Sequence, residues 1–234
     1  MRIVNEQKVL NDYGDFLIPT TGVHGGDISS QRTDDLDRAC LDFLQLRRSA
    51  SAKPPVALDL GGGLGSQSKR MAQAGADVYM IDLSDQSANI ADFNSSIGRM
   101  GIRFFQADVR TVDPSMLPRL DIVYSQRMLS CIRHLDARRL LGWICDACTP
   151  EARCFISAAG LYSEIGRSSG SHAGPIEQRW LMPSQEMAAK HQIHAPECPY
   201  SEQELTGLLE SCAFEIVRRW TSPFGNPKVI CTKR

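Results

Sequence analysis

The 234-residue chain is 42% hydrophobic and 23% charged, with a formal net charge of −1. These are ordinary globular values, which exclude a disordered or membrane class and fit one α/β domain. A near-neutral balance gives no bulk attraction to nucleic acid or anionic lipid, so nucleic acid is a disfavoured partner. The first twenty residues carry Glu6, Lys8, Asp12 and Asp15, and no segment approaches the roughly 18 apolar residues of a membrane span. No secretory leader or membrane partner is expected, and the protein reads as cytoplasmic.

In chain order, Leu36, Ala39, Cys40, Phe43 and Leu44 follow the spacing of one helix face and predict a helix over 30–47. Pro54-Pro55 ends the connector behind it. Val56 to Leu60 is a short apolar run that meets glycines, and Ser66 to Ala74 reads as a helix closed by Gly75. The strand-then-helix order repeats with Asp77 to Ile81 and Gln86 to Arg99, the latter led by the cap candidates Ser84 and Asp85. It recurs with a strand at Ile102 to Gln106, then with the strand Asp121 to Tyr124 and the helix Asp136 to Cys148. A further strand is expected at Arg153 to Ala158. Alternation of this kind implies βαβ units, with a parallel sheet covered by helices on both faces.

Residues 160–200 show no clean period and read as an irregular cap over the site. Ser201-Glu202-Gln203-Glu204 is a capping box that opens a helix with the face Leu205, Leu208, Leu209 and Cys212. Strands at Phe214 to Trp220 and Lys228 to Thr232 complete the chain. The eight cysteines read mostly as small buried apolar residues. Cys145-x-x-Cys148 has no second pair, and His191-x-x-His194 with Cys198 is only a loose match to metal spacing. No metal ligands are assigned.

The chemistry concentrates in Asp59-Leu60-Gly61-Gly62-Gly63-Leu64-Gly65. Glycines there let the backbone approach a ligand, and the following helix offers unpaired N–H groups at its N-terminus. Such a turn suits a pyrophosphate or the amino-acid end of S-adenosylmethionine. A dinucleotide fingerprint would require glycine where Ser66 or Ser68 stands. Asp82, roughly 20 residues further on, ends the second strand and can accept both hydroxyls of a ribose.

The alternating Gly61-x-Gly63-x-Gly65 after Asp59, then Asp82, Asp108 in Phe105-Gln106-Ala107-Asp108-Val109, and the strand running into Ser125-Gln126-Arg127 resemble, in order, the motifs of the class I methyltransferases. The resemblance spans roughly residues 54–158. It implies a seven-stranded, doubly wound, mostly parallel sheet with an antiparallel last strand. Within that one domain, 1–53 is an N-terminal helical arm, 54–159 the cofactor-binding half, 160–200 the cap insertion, and 201–234 the last helix and two strands. It also implies S-adenosyl-L-methionine as cofactor and S-adenosyl-L-homocysteine as product. The cofactor is expected at Asp59, Gly61, Gly62, Gly63 and Gly65, at Asp82 and Leu83, with Asp108 and Val109 at the adenine, and Ser125 and Gln126 beside the methyl.

Methyl transfer from a sulfonium is an in-line displacement that depends on positioning, with a base needed only when the acceptor must lose a proton. No Asn-Pro-Pro-Tyr or Asp-Pro-Pro-Tyr run ends the fourth strand, which disfavours DNA amine methylation. Cys198-Pro199 is the reverse of a Pro-Cys nucleophile, which disfavours pyrimidine carbon chemistry. Acceptor-side candidates are Arg127, His134, Tyr162, Glu164 and Tyr200, which follow the carboxyl ends of strands. Arg127 fits either an anionic substrate or a structural carboxylate, and His134 either a base or a helix N-terminal residue. Tyr13, His24 and Arg32 are arm residues that would close over the methionine end. The leading reading is methylation of a small-molecule acceptor on oxygen or nitrogen. A protein or RNA methyltransferase and a non-catalytic, regulatory S-adenosylmethionine-binding protein are the alternatives.

Overall fold

A computed structural model describes residues 33–170 and 174–234. The arm candidates Tyr13, His24 and Arg32 lie outside the described residues. Helix α1 (Asp35–Ala50) opens with a capping box in which the Asp34 carboxylate accepts from the Leu36 and Asp37 N–H groups, while Asp37 accepts from the Asp34 N–H. Such a cap stabilises a helix by about 1 kcal/mol and sets its first residue, here five later than periodicity alone suggests.

The core alternates as expected through β1 (Val56–Leu60), α2 (Ser66–Gln73), β2 (Asp77–Asp82), α3 (Ser87–Ser96), β3 (Ile102–Gln106), β4 (Leu120–Gln126), α4 (His134–Ala147) and β5 (Cys148–Ser157). Helix α3 is shorter than the expected 86–99, and its N-cap is Gln86, not Ser84 or Asp85. Asp85 instead accepts the Ser87 N–H in a local turn. Helix α4 stops at Ala147, so Cys148 leaves the helix predicted for it and starts β5, its Sγ 3.9 Å from that of Cys154.

Residues 160–200 are not the structureless segment expected. They hold α5 (Glu164–Ser168), a 3-10 turn at Ile176–Gln178 and α6 (Gln185–His191). Bridges between Gly160 and Tyr200 and between Leu181 and Glu197 pin the segment. Periodicity missed these helices because each spans two turns or fewer, too short to display a repeating face. The capping box at Ser201 and Glu204 opens α7 (Glu202–Ser211) as predicted, followed by β6 (Phe214–Thr221) and β7 (Pro227–Lys233).

The seven strands form one sheet in the order β3-β2-β1-β4-β5-β7-β6. β7 pairs antiparallel with both β5 and β6, while the other pairings are parallel. The order reverses between β1 and β4, which opens a crevice at their carboxyl ends, where open α/β sheets bind ligands. One face carries α1, α2 and α3 over Ala57, Val78, Met80, Ile122, Phe155 and Ile230. The other carries α4 and α7 over Leu58, Val123, Ile156 and Val229. Each such buried aliphatic contributes about 1.5–3 kcal/mol. Among the described residues no helix is long and apolar enough to cross a membrane.

Candidate active site

Where β1 ends, Gly61 turns at φ +68° and its N–H donates to the Ile81 carbonyl at 2.9 Å. A Cβ there would stand 2.5 Å from Met128 Cγ, so the segment after β4 packs directly on the turn. Among the described residues, nothing lies within 4 Å of the would-be Cβ of Gly63, at φ +54°. Gly65 is the N-cap of α2 and offers no side chain to the helix's first N–H groups. The turn thus presents a bare backbone face and an uncapped helix start to the crevice. These features fit the amino-acid end of S-adenosylmethionine.

Asp82 closes the turn from β2. Its Oδ2 accepts the Gly63 N–H at 2.8 Å, and its Oδ1 accepts the N–H and hydroxyl of Ser84 at 2.9 and 2.5 Å. Asp59 lies beneath the turn, 2% exposed, and accepts the Ser68 hydroxyl at 2.6 Å. Burial pushes its carboxyl up to about 7; the Ser68 bond opposes that shift, and the charges of Asp82 and Asp37 reinforce it. Beyond β3, both Asp108 oxygens accept from the Arg110 guanidinium, which holds the Asp108 carboxyl below the usual range. Leu83 is 65% exposed and Val109 is buried.

At the carboxyl end of β4, Ser125 is buried and donates to the Leu60 carbonyl, while the Gln126 amide donates to Asp34 at 2.6 Å. Arg127 sits at φ +62°, a strained conformation for a residue with a side chain, held by hydrogen bonds from its N–H to the Ser157 carbonyl and hydroxyl at 3.0 and 3.2 Å. His134 is the first residue of α4, and its Nδ1 is 3.4 Å from the hydroxyl of the fully buried Tyr200. Tyr162 is 58% exposed.

Residues 57–151 match a family model described as a methyltransferase domain. Over those residues the chain carries a methyltransferase domain. No curated protein sequence matches it. Solved structures share the fold at low identity. A Clostridium acetobutylicum S-adenosylmethionine-dependent methyltransferase has TM-score 0.64 at 11% identity, covering 88% of this chain and 94% of its own. A Burkholderia thailandensis 1,6-didemethyltoxoflavin-N1-methyltransferase has TM-score 0.61 at 20% identity, covering 85% and 78%. The Synechocystis magnesium protoporphyrin IX methyltransferase has TM-score 0.59 at 15% identity, covering 91% and 90%.

In this methyltransferase, tertiary structure adds a pair that sequence spacing did not reveal. Glu164 at the start of α5 bonds to both Lys190 and His191 at the end of α6, with His191 Nε2 3.2 Å from Glu164 Oε2. His191 had appeared only in a loose metal spacing. Its former companion Cys198 donates to the Ile176 carbonyl, and among the described residues no group of three or more His, Cys, Asp or Glu gathers to hold a metal. Burial lowers the His191 pKa; Glu164 opposes this, and the charges of Lys190 and Arg127 add to it. The methyltransferase also has an open cavity of about 570 Å³ beside the pair, lined by Tyr162, Glu164, Arg167, Met187 and Phe224.

Proposed function

We propose that the methyltransferase acts on an oxygen or nitrogen of a small molecule. The cavity of about 570 Å³ between α5, α6 and the β6–β7 turn carries this reading, since its volume suits a compact ligand and not a polymer. The structural neighbours that take 1,6-didemethyltoxoflavin and magnesium protoporphyrin IX lend support.

When bound, S-adenosylmethionine supplies a methyl group on a positively charged sulfur. In our reading the Gly61 to Gly65 turn and the first N–H groups of α2 hold its methionine end. Asp82 accepts the ribose hydroxyls, Leu83 and Val109 flank the adenine, and Asp108 meets the adenine amine. Asp59 braces the turn, and Ser125 and Gln126 form the floor beside the methyl.

Tyr162 and Arg127 orient the acceptor, and His191, held by Glu164, removes its proton. With Nε2 donating to Glu164, Nδ1 is the basic nitrogen, and the lowered pKa keeps it available at neutral pH. His134, engaged with Tyr200, supports the wall of the site. In this reading residues 160–200 are a cap belonging to the same domain as the sheet.

The test is incubation with donor labelled on the methyl group together with a metabolite extract and, separately, cellular protein and RNA. Label in a low-molecular-weight product is the expected result. Label in macromolecules alone would overturn the small-molecule reading.

A further inference from the structure

The side-chain amide of Gln126 has its direction set by its partner. Its nitrogen donates to Asp34 Oδ2 at 2.6 Å. A carboxylate accepts hydrogen bonds and gives none, so the amide turns its NH2 group toward Asp34 and its carbonyl oxygen away. The rest of the Asp34 carboxylate is engaged as well. Oδ1 accepts the Leu36 and Asp37 N–H groups at 2.8 and 3.1 Å, and Oδ2 also accepts the Lys228 ammonium at 2.7 Å. With Gln126 these donors fill the roughly four lone-pair positions of a carboxylate. Among the described residues, no donor meets Gln126 Oε1.

Gln126 closes β4 beside the glycine turn. Asp59 on β1 pairs with Tyr124 on β4, and the same register two residues on brings Gly61 alongside Gln126. Between those pairs, the Ser125 hydroxyl ties the strand ends together through the Leu60 carbonyl at 3.3 Å. In the order β3-β2-β1-β4, Asp82 ends the strand on one side of the turn and Gln126 ends the strand on the other. A cofactor with its ribose at Asp82 and its chain over the turn therefore extends its sulfur and amino-acid end toward β4. That end carries an ammonium and a carboxylate, and only the ammonium has hydrogens to give a carbonyl oxygen.

We propose that Gln126 Oε1 receives the methionine ammonium, and that Asp34 is the positioning residue that holds the amide in this orientation. The inference rests on the cofactor placement proposed above. Asp34 acts on the ligand only through Gln126, and Lys228 anchors the same carboxylate oxygen from β7. A reversed amide would set its NH2 group against the ammonium and turn attraction into repulsion.

The test compares binding of S-adenosylhomocysteine with that of its deaminated analogue, which keeps the adenosine, sulfur and carboxylate. Wild type should prefer the amino form about 10-fold or more, the worth of one hydrogen bond to a charged group. Gln126→Leu should reduce that preference about 10-fold. Asp34→Asn keeps a good helix cap but offers Gln126 an NH2 group, so the amide turns round and the preference should fall to the same degree. The double variant should lose no more than either single one, because both changes remove one interaction. Misfolding lowers the active fraction and leaves the ratio of affinities unmoved. No preference in wild type, an undiminished preference in either single variant, or a further loss in the double variant would overturn the proposal alone. Failure of wild type to bind S-adenosylhomocysteine would overturn the cofactor placement as well.

Discussion

The Asp82 carboxylate accepts the Gly63 N–H at 2.8 Å, so the residue expected at the ribose also holds the glycine turn in shape. Asp82→Ala is expected to weaken S-adenosylhomocysteine binding about 10- to 100-fold, the worth of one or two hydrogen bonds to a charged group. Calorimetry checks this. Asp82→Asn should lose less, because an amide oxygen can still accept from Gly63.

Gly61 and Gly63 should separate fold from binding. Alanine at Gly61 meets Met128 at 2.5 Å in addition to the positive φ, and is expected to cost about 2–4 kcal/mol of stability. Alanine at Gly63 meets no described residue within 4 Å and should cost only about 1–2 kcal/mol, yet in the proposed cofactor placement it projects a methyl toward the ligand. Thermal melts with and without S-adenosylhomocysteine should show Gly63→Ala melting near wild type but losing the ligand-induced increase.

His191→Gln and Glu164→Gln are expected to lower kcat on a small-molecule acceptor about 100-fold or more, with donor affinity unchanged. Burial lowers the His191 pKa, so the acid limb of the wild-type pH–rate profile should fall below the ordinary imidazole value, with activity lost as pH drops through it. His134→Gln should leave that limb in place.

Lys228 is 4% exposed, and its ammonium bonds to Asp34, at 2.7 Å, and to Asp35. Burial opposes its charge, but the two carboxylates overcome this and raise its pKa. Lys228→Met leaves those acids unneutralised at the start of α1 and should cost about 1–3 kcal/mol, less than a fully buried pair because Asp35 is exposed. Asp35 has its pKa lowered despite partial burial, so its contribution is present above the ordinary carboxylate value and lost as pH falls below it. The melting difference between wild type and Lys228→Met should therefore shrink at low pH.

Asp59 gives the opposite pH signature. Its folded-state pKa is raised, so the protein loses stability as pH climbs from about 4 toward the value of about 7. Asp59→Asn should accordingly raise the melting temperature by about 4–8 °C at pH 8 and by little at pH 4.

The amino-acid sequence by itself determined the alternation of strands and helices, the glycine turn, and the acids that close the second and third strands. All of these depend on spacings of a few residues, which backbone geometry turns directly into position. The capping boxes at Asp34 and Ser201 belong to the same class, although only the second was read. The tertiary structure alone decided which residues distant in the chain meet. Glu164 meets His191 through two short helices that have no period to read, and Gln126 and Lys228 converge on Asp34 from strands far apart in the chain. Gly160 is legible only as a loop residue, yet it is there because a Cβ would collide with the Gly225 carbonyl at 1.6 Å. Such contacts are set by how the sheet stacks its carboxyl ends side by side, and local sequence carries no record of that stacking.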